Sequence, residues 1–443
     1  MLFKRKLYQK MLAWQAHSKG RSALLIQGAR RVGKSTLVRN FAESEYQSYI
    51  LIDFAQATPE ILELFEDLLH LDFFFLRLQA IYKVKLHPRD SVIIFDEVQL
   101  CPKARQAIKY LVADGRYDYI ETGSLLSIRQ NIAGILIPSE EHRLDMYPLD
   151  FEEFLWAIGD TITPDMLAAM WAAQKPAGNA AHREMMRLFR LYMLIGGMPQ
   201  AIVTYLTTNN FAEVDTTKRE ILSLYAEDFH RIDPTGRASQ LFISVPAQLT
   251  SNAARFQTKK ALPKVQRSRT EELIANMANS YTILLAYHAN NPDVGMALTK
   301  NMDYYKIFLL DTGLLVTLIY QDREAADNEL YRKLLSNKMH TDLGYIYENV
   351  VAQMTVAKGD ALYYYTFPSD TSNHNYEIDF LLTRKQKICP LEVKSSGYKT
   401  HASLDAFYKK YSHRIGQRYL IYTKDLTKEQ DILCVPIYLY PYI

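Results

Sequence analysis

The sequence predicts an α/β protein of several domains, and three observations predict it. Four short apolar runs alternate with helical stretches over the first 150 residues, the pattern turns wholly helical after residue 151, and strands return near the end. The chain has 443 residues, enough for about three domains. Its 48% hydrophobic and 23% charged residues are those of an ordinary globular protein and exclude a disordered chain. The 52 basic and 49 acidic side chains leave a net charge of +3, which excludes a polyanion binder along its whole length but not local basic patches.

The apolar runs are 22–27 (SALLIQ), 49–54 (YILIDF), 91–95 (SVIIF) and 117–122 (YDYIET). Runs of this length between helices read as buried parallel strands, which places one α/β domain over residues 1–150. A helical extension follows over 151–226, with a loop at 175–179 (KPAGN) and a break at 194–199 (LIGGMP), where paired glycines precede a proline. Residues 227–327 read as short helices. The helical patterns at 270–278 and 281–288, followed by a short hairpin near 304–310, suit a winged helix-turn-helix. Residues 328–443 return to strands. Twenty of the 31 tyrosines lie after position 280, and their scattered spacing reads as packing rather than base stacking.

Cys101, Cys389 and Cys434 lie far apart with no metal-ligand spacing, which fits a reducing compartment. The N-terminal MLFKRKLYQKMLAWQ breaks its apolar run too early for a signal peptide. The best membrane candidate, 307–319, contains Asp311 and is too short to span a bilayer. The expectation is a cytoplasmic protein with no membrane partner.

Gly28, Ala29, Arg30, Arg31, Val32, Gly33, Lys34 and Ser35 match GxxxxGK[ST], with Thr36 next. The glycines let backbone N–H groups turn inward around phosphate oxygens, and the following helix adds its positive N-terminal end. Lys34 then reaches the β- and γ-phosphates and Ser35 ligates Mg²⁺. Context supports the motif, because an apolar strand precedes it and a helix opens at Lys34. About sixty residues on, VIIFDE at 92–97 is an apolar strand ending in two carboxylates, as a Walker B element requires. Asp96 would hold the Mg²⁺ shell and Glu97 would act as general base on the attacking water. The next strand ends in ETGS, so Thr122 or Ser124 suits a γ-phosphate sensor, with a helix N-cap serine equally compatible. Arg143, before YPL at 147–149, is a candidate arginine finger or sensor, against the plainer reading of a solvated arginine. The expected ligands are ATP and Mg²⁺.

These pieces resemble the AAA+ type of P-loop ATPase. More narrowly, the chain resembles a bacterial and archaeal group of AAA+ ATPases whose C-terminal domain is one of unknown function. The matching residues are GARRVGKST at 28–36, FDEVQ at 95–99, TGS at 122–124, PLDFEEFL at 148–155, IGGMP at 195–199, DTGLL at 311–315, YENVV at 347–351, EIDFLL at 377–382 and LEVKSS at 391–396. The resemblance implies ATP binding and, with both acids intact, hydrolysis. It also agrees with the winged-helix reading of 227–327.

Near the end, 376–383 (YEIDFLLT) and 388–395 (ICPLEVKS) flank a polar stretch and read as a β-hairpin. With the turn centred between Lys385 and Gln386, Asp379 faces Glu392 and Glu377 faces Lys394. Ile378, Phe380 and Leu382 then share an apolar face with Cys389, Leu391 and Val393, and the four charged residues project from the other. Opposed carboxylates repel unless a divalent cation lies between them. Acid, then acid-x-lysine on the adjacent strand, after a helical glutamate, resembles the PD-(D/E)XK nuclease core. Glu348, in the helical pattern 344–354, matches that glutamate. The resemblance implies Asp379 and Glu392 as Mg²⁺ ligands with Glu348 in support, and Lys394 orienting or activating the hydrolytic water. A solvated face with a Glu377–Lys394 pair, or a nuclease fold without activity, explains the same residues.

Two stretches concentrate positive charge. Residues 255–269 hold six basic side chains (Arg255, Lys259, Lys260, Lys264, Arg267 and Arg269) and no acid, and 380–424 hold ten basic and two acidic. DNA is the expected partner through both, although basic runs are more often solvated faces. Two functions fit: an ATP-fuelled DNA-processing enzyme, and a non-cleaving ATP switch that grips DNA or a protein. A P-loop kinase-like transferase fits poorly, because Glu97 beside Asp96 favours water as nucleophile. A homo-oligomer follows if Arg143 acts on a neighbour's nucleotide.

Overall fold

In the computed structural model the apolar runs at 22–27, 91–95 and 117–122 become strands buried on both faces, and the run at 49–54 becomes a half-buried edge strand. The structure describes residues 1–443 except 67, 69, 124–138, 252, 294, 323–327, 337–343 and 370–373. The chain divides into two compact units, Met1–Tyr147 with Asn279–Tyr281, and Pro148–Ala278 with Thr282–Ile443.

In the first unit β1 (Ala23–Gly28), β2 (Ser48–Asp53), β3 (Ser91–Asp96), β4 (Asp118–Gly123) and β5 (Glu141–Met146) form one parallel sheet in the order β2-β3-β4-β1-β5. Helices α1 (Leu7–Ser18), α2 (Lys34–Glu45), α3 (Pro59–Glu63), α4 (Leu71–Tyr82) and α5 (Pro102–Asp114) cover it. Leu24 and Ile26 pack with Val38 and Phe41 of α2, while Ala23 and Leu25 pack with Ile108 and Leu111 of α5. The alternation along β1 therefore feeds both layers. β5 has no apolar run, reading EHRLDM and largely exposed, because an edge strand needs a partner on one side only.

The second unit begins with the expected helices: α6 (Phe151–Ala157), α7 (Ile162–Ala173), α8 (Asn179–Ile195), α9 (Pro199–Thr208) and α10 (Phe211–Ile232). Asp150 and Glu153 close a capping box on α6. The IGGMP break between α8 and α9 is tied to the DTGLL segment: Asp311 accepts from Gly197 N at 2.6 Å and from Leu314 N at 2.9 Å. The buried Lys218 ammonium donates to Leu194 O at 2.8 Å and Gly313 O at 3.1 Å, so both motifs serve one packed junction. After α11 (Arg237–Thr250), α12 (Thr258–Ala261) and α13 (Arg267–Asn279) come β6 (Ile283–Ala289), α14 (Met296–Thr299) and β7 (Lys300–Leu309). Next are α15 (Thr312–Ile319), α16 (Asn328–Leu335), α17 (Gly344–Ala357), β8 (Tyr363–Pro368), β9 (Asn375–Ile378), β10 (Phe380–Arg384) and β11 (Lys387–Val393). α18 (Ala402–Tyr411), β12 (Arg418–Tyr422), β13 (Thr427–Glu429) and β14 (Ile432–Pro436) complete the unit. One sheet runs β7-β6-β8-β9 and the other β10-β11-β12-β14-β13.

Two expectations change here. The pattern at 281–288 predicts a helix, but Ile283–Ala289 is the strand β6, antiparallel to β7 and parallel to β8. A short apolar run carries no period that separates strand from helix, and pairing on both sides decides it. The segment expected to fold back as a wing is a single strand of that same sheet, so the strands of 227–327 join those of 328–443 in one unit. The C-terminal hairpin keeps its register from Phe380↔Leu391 to Arg384↔Lys387. It ends there: Glu377 leaves it for β9, opposite Thr366 on β8, and does not face Lys394. Asp379 sits at the bend between β9 and β10 and accepts from Val393 N at 2.8 Å. The tyrosines pack, with Tyr331, Tyr364, Tyr438 and Tyr440 among the largest fully buried side chains. Among the described residues no helix is long and apolar enough to cross a membrane.

Candidate nucleotide site and C-terminal cleft

The carboxyl ends of β1, β3 and β4 bring the expected phosphate-site residues together. The loop from Gly28 turns through positive φ at Arg31 (67°) and Gly33 (100°), and α2 starts at Lys34. Such a turn aims successive N–H groups into one concavity. A Cβ at Gly28 would lie 2.2 Å from the Met146 carbonyl oxygen, so only glycine lets the ends of β1 and β5 approach. Arg5, which the sequence reading did not single out, braces the loop by donating to Val32 O at 3.2 Å and Tyr147 O at 2.6 Å. Ala29 and Val32 are buried, Arg30 is half-buried, and Arg31 and Thr36 are exposed. The buried Lys34 curls back on the loop, donating to the carbonyls of Gly28 and Ala29 at 3.0 Å each.

Asp96 is the centre of the site. Ser35 Oγ donates to Asp96 Oδ1 at 2.8 Å, and Thr122 Oγ1 donates to the same oxygen. Thr122 in turn accepts from Glu97 N at 3.3 Å. Three oxygens from three elements thus converge at a loop built for anions, and hard oxygen donors of this kind suit Mg²⁺. Glu97 holds φ 54°, a left-handed conformation that a glutamate adopts at a cost, immediately after the strand. Gln99 Nε2 donates to Glu97 Oε2, an orienting contact that sequence reasoning missed although Gln99 stands two residues from the acid. Ser124 lies outside the described residues. Arg143 is not brought to this cluster: it lies mid-strand on β5, opposite Leu25, half-exposed and paired with Glu141 at 3.4 Å.

The C-terminal acids form a second cluster in the other unit. A cleft of about 280 Å³ is lined by Arg255, Phe256, Lys306, Glu348, Glu377 and Asp379, among others. Glu348 rides on α17, which Asn349 fastens to β7 by accepting from Leu309 N at 2.8 Å. Lys306 of β7 lies among the acids, paired with Glu377 and 3.8 Å from Glu348. Burial alone would lower its pKa, but Glu377, then Glu348 and Asp379, outweigh that and hold the ammonium above its ordinary value. Burial, followed by the charge of Glu348, pushes the Asp379 carboxyl well above the ordinary carboxylate range. Lys394 pairs with the buried Glu392 at 2.7 Å, whose other oxygen, Oε2, is buried without a hydrogen-bond partner. Among the described residues no three His, Cys, Asp or Glu side chains are arranged to hold a metal ion. The expected set of Glu348, Asp379 and Glu392 therefore does not fit a divalent cation as it stands, because ammonium groups take up Glu348 and Glu392. Lys306 was the missed residue, and its one signal is a lysine inside the apolar run of a strand.

The basic stretches are partly spent on acids. Arg267 pairs with Glu271 and Asp303, and Arg269 with Glu272 and Asp233. Arg384, Arg414 and Arg418 pair with Asp360, Asp293 and both Asp405 and Asp431. Arg255, Lys259, Lys260 and Lys264 are exposed, and Arg255 stacks 4.1 Å from the centre of the Tyr304 ring.

Family comparison matches residues 20–155 to an AAA domain and residues 186–325 and 343–440 to two domains of unknown function, DUF8612 and DUF4143. No protein with a curated description matches the chain. Solved structures similar to it include the ORC1 protein of Aeropyrum pernix in complex with DNA, at 14% identity over 76% of this chain and 93% of that one, with a TM-score of 0.28. Cdc6p from Pyrobaculum aerophilum is similar at 12% identity over 76% of this chain and 94% of that one, with a TM-score of 0.24. Scores this low add nothing to the argument. The parallel sheet, the phosphate loop at its carboxyl edge and the AAA match over residues 20–155 together give the N-terminal unit a P-loop AAA+ fold, similar to that of AAA+ ATPases.

Proposed function

We propose that the chain is an Mg²⁺-dependent ATPase coupled to a nuclease-like C-terminal cleft that acts on DNA. The observation that carries the ATPase reading is the convergence of Ser35 and Thr122 on Asp96 beneath the phosphate loop. Ser35 and Asp96 are the residues that would hold Mg²⁺, which when bound neutralises phosphate charge. The loop N–H groups bind the β- and γ-phosphates, and Lys34 exchanges its carbonyl contacts for phosphate oxygens. Water attacks the γ-phosphorus, the bond to the β-bridging oxygen breaks, ADP leaves, and Glu97 accepts the water proton. Gln99 holds the Glu97 carboxylate and Thr122 its backbone. The exposed Arg255, Lys259, Lys260 and Lys264 support phosphate-backbone contact, and three free, buried cysteines support a cytoplasmic setting.

A second reading, a non-cleaving ATP switch that grips DNA or a protein, is favoured by the Lys306 contacts in the cleft. Incubating wild type and Glu392→Ala with linear, supercoiled and single-stranded DNA, Mg²⁺ or Mn²⁺, and ATP separates the two. Cleavage by wild type alone supports the nuclease, and no cleavage of any substrate leaves the switch.

A further inference from the structure

Lys306 stands among the acids of the C-terminal cleft. Its Nζ faces Glu377 Oε1 and Glu348 Oε2, which come from β9 and α17, and Asp379 lines the same cleft. The side chain is 11% exposed, so its charge is held inside the protein rather than at the surface. An ammonium and a divalent cation compete for the same oxygens and repel each other, so one excludes the other. Lys394 deals in the same way with one oxygen of Glu392 and leaves Oε2 buried and unpartnered. The acids of this region are thus partly neutralised from within.

We propose that the Lys306 ammonium is the resident cation of the cleft, taking the place of a divalent metal between Glu348 and Glu377. While it is there the wild-type cleft takes no divalent ion. Without that charge Glu348, Glu377 and Asp379 share one cleft with no ammonium between them, and a divalent cation that draws them together is the counter-ion they are then expected to take. The inference sides with the non-cleaving reading of this cleft and takes from the nuclease-like one only the class of ion, since the ion pairs stand on their own geometry.

The test is a Mn²⁺ titration of the nucleotide-free full chain, with free Mn²⁺ followed by its electron paramagnetic resonance signal. Weak binding at the P-loop is common to all variants and subtracts out. Lys306→Met and Lys306→Gln are each expected to gain one site at least about tenfold tighter than any in wild type. That site is expected to vanish in Lys306→Gln/Asp379→Asn and to be missing in Lys306→Arg, which keeps the charge. Mn²⁺ is also expected to raise the melting temperature of the two neutral variants by more than that of wild type, because the gained site exists only in their folded forms. If neither neutral variant gains a site, or if wild type binds Mn²⁺ as tightly and loses it on Asp379→Asn, the proposal is overturned. DNA cleavage measured in parallel separates it from the nuclease reading. A gained Mn²⁺ site with no cleavage by any form upholds Lys306 and counts against the nuclease. Mn²⁺-dependent cleavage by wild type that Asp379→Asn abolishes does the reverse.

Discussion

Ser35 Oγ and Asp96 Oδ1 are hydrogen-bonded at 2.8 Å across 61 residues of sequence, joining the start of α2 to the end of β3. This one contact brings the phosphate loop and the acidic strand end into one site. Ser35→Ala and Asp96→Asn are each expected to lower Mg²⁺-dependent ATP turnover by about 100-fold or more. Phosphate release over a Mg²⁺ series checks it, and turnover within a few-fold of wild type would count against the assignment.

Glu97 and Gln99 separate binding from chemistry. Glu97→Gln keeps the shape of the side chain and removes the base, so ATP should still bind while turnover falls by about 10² to 10⁴. Gln99→Ala leaves the base and removes its orienting amide, so its loss should be smaller. Fluorescent-nucleotide binding measured beside single-turnover hydrolysis tells the two apart. A fall in binding that matches the fall in rate contradicts the role given to Glu97.

Gly28 is a steric requirement. Gly28→Ala places a Cβ 2.2 Å from the Met146 carbonyl oxygen, backbone that gives way only if β5 shifts. The expected cost is about 1–3 kcal/mol, read as a lowered urea midpoint. An unchanged midpoint would mean that the two strand ends are not in contact.

Lys218 gives the second unit a pH signature. Burial lowers its pKa to about 8, with Asp215 and then Asp311 opposing the shift. An unfolded lysine titrates near about 10.4. Between these values the unfolded chain holds the extra proton, so stability rises with pH across that window and the deficit is complete below about pH 8. The contribution is about 3 kcal/mol at most. Urea midpoints at pH 7.5 and 9.5 should rise more for wild type than for Lys218→Met. Equal changes would place the lysine outside the junction.

The sequence made some of this legible and left the rest dark for physical reasons. Phosphate chemistry demands a loop, a lysine, a hydroxyl and a strand-end acid in fixed local order, so Gly28 to Ser35 and Asp96–Glu97 could be read directly. β5 could not, because an edge strand needs no apolar run. β6 could not, because seven residues carry no decisive period. The hairpin register held where both strands pair, but Asp379 gives its carboxylate to Val393 N and the chain turns into the other sheet before Glu377. Lys306 depends on contacts between β7, β9 and α17, a relation that no local pattern records.

The most direct test of the account is steady-state ATP hydrolysis by purified wild type and Lys34→Ala, with Mg²⁺ and with Mg²⁺ chelated. Turnover by wild type with Mg²⁺, falling to background in Lys34→Ala and without the metal, is the predicted result. Equal turnover by Lys34→Ala, or turnover indifferent to Mg²⁺, would contradict it.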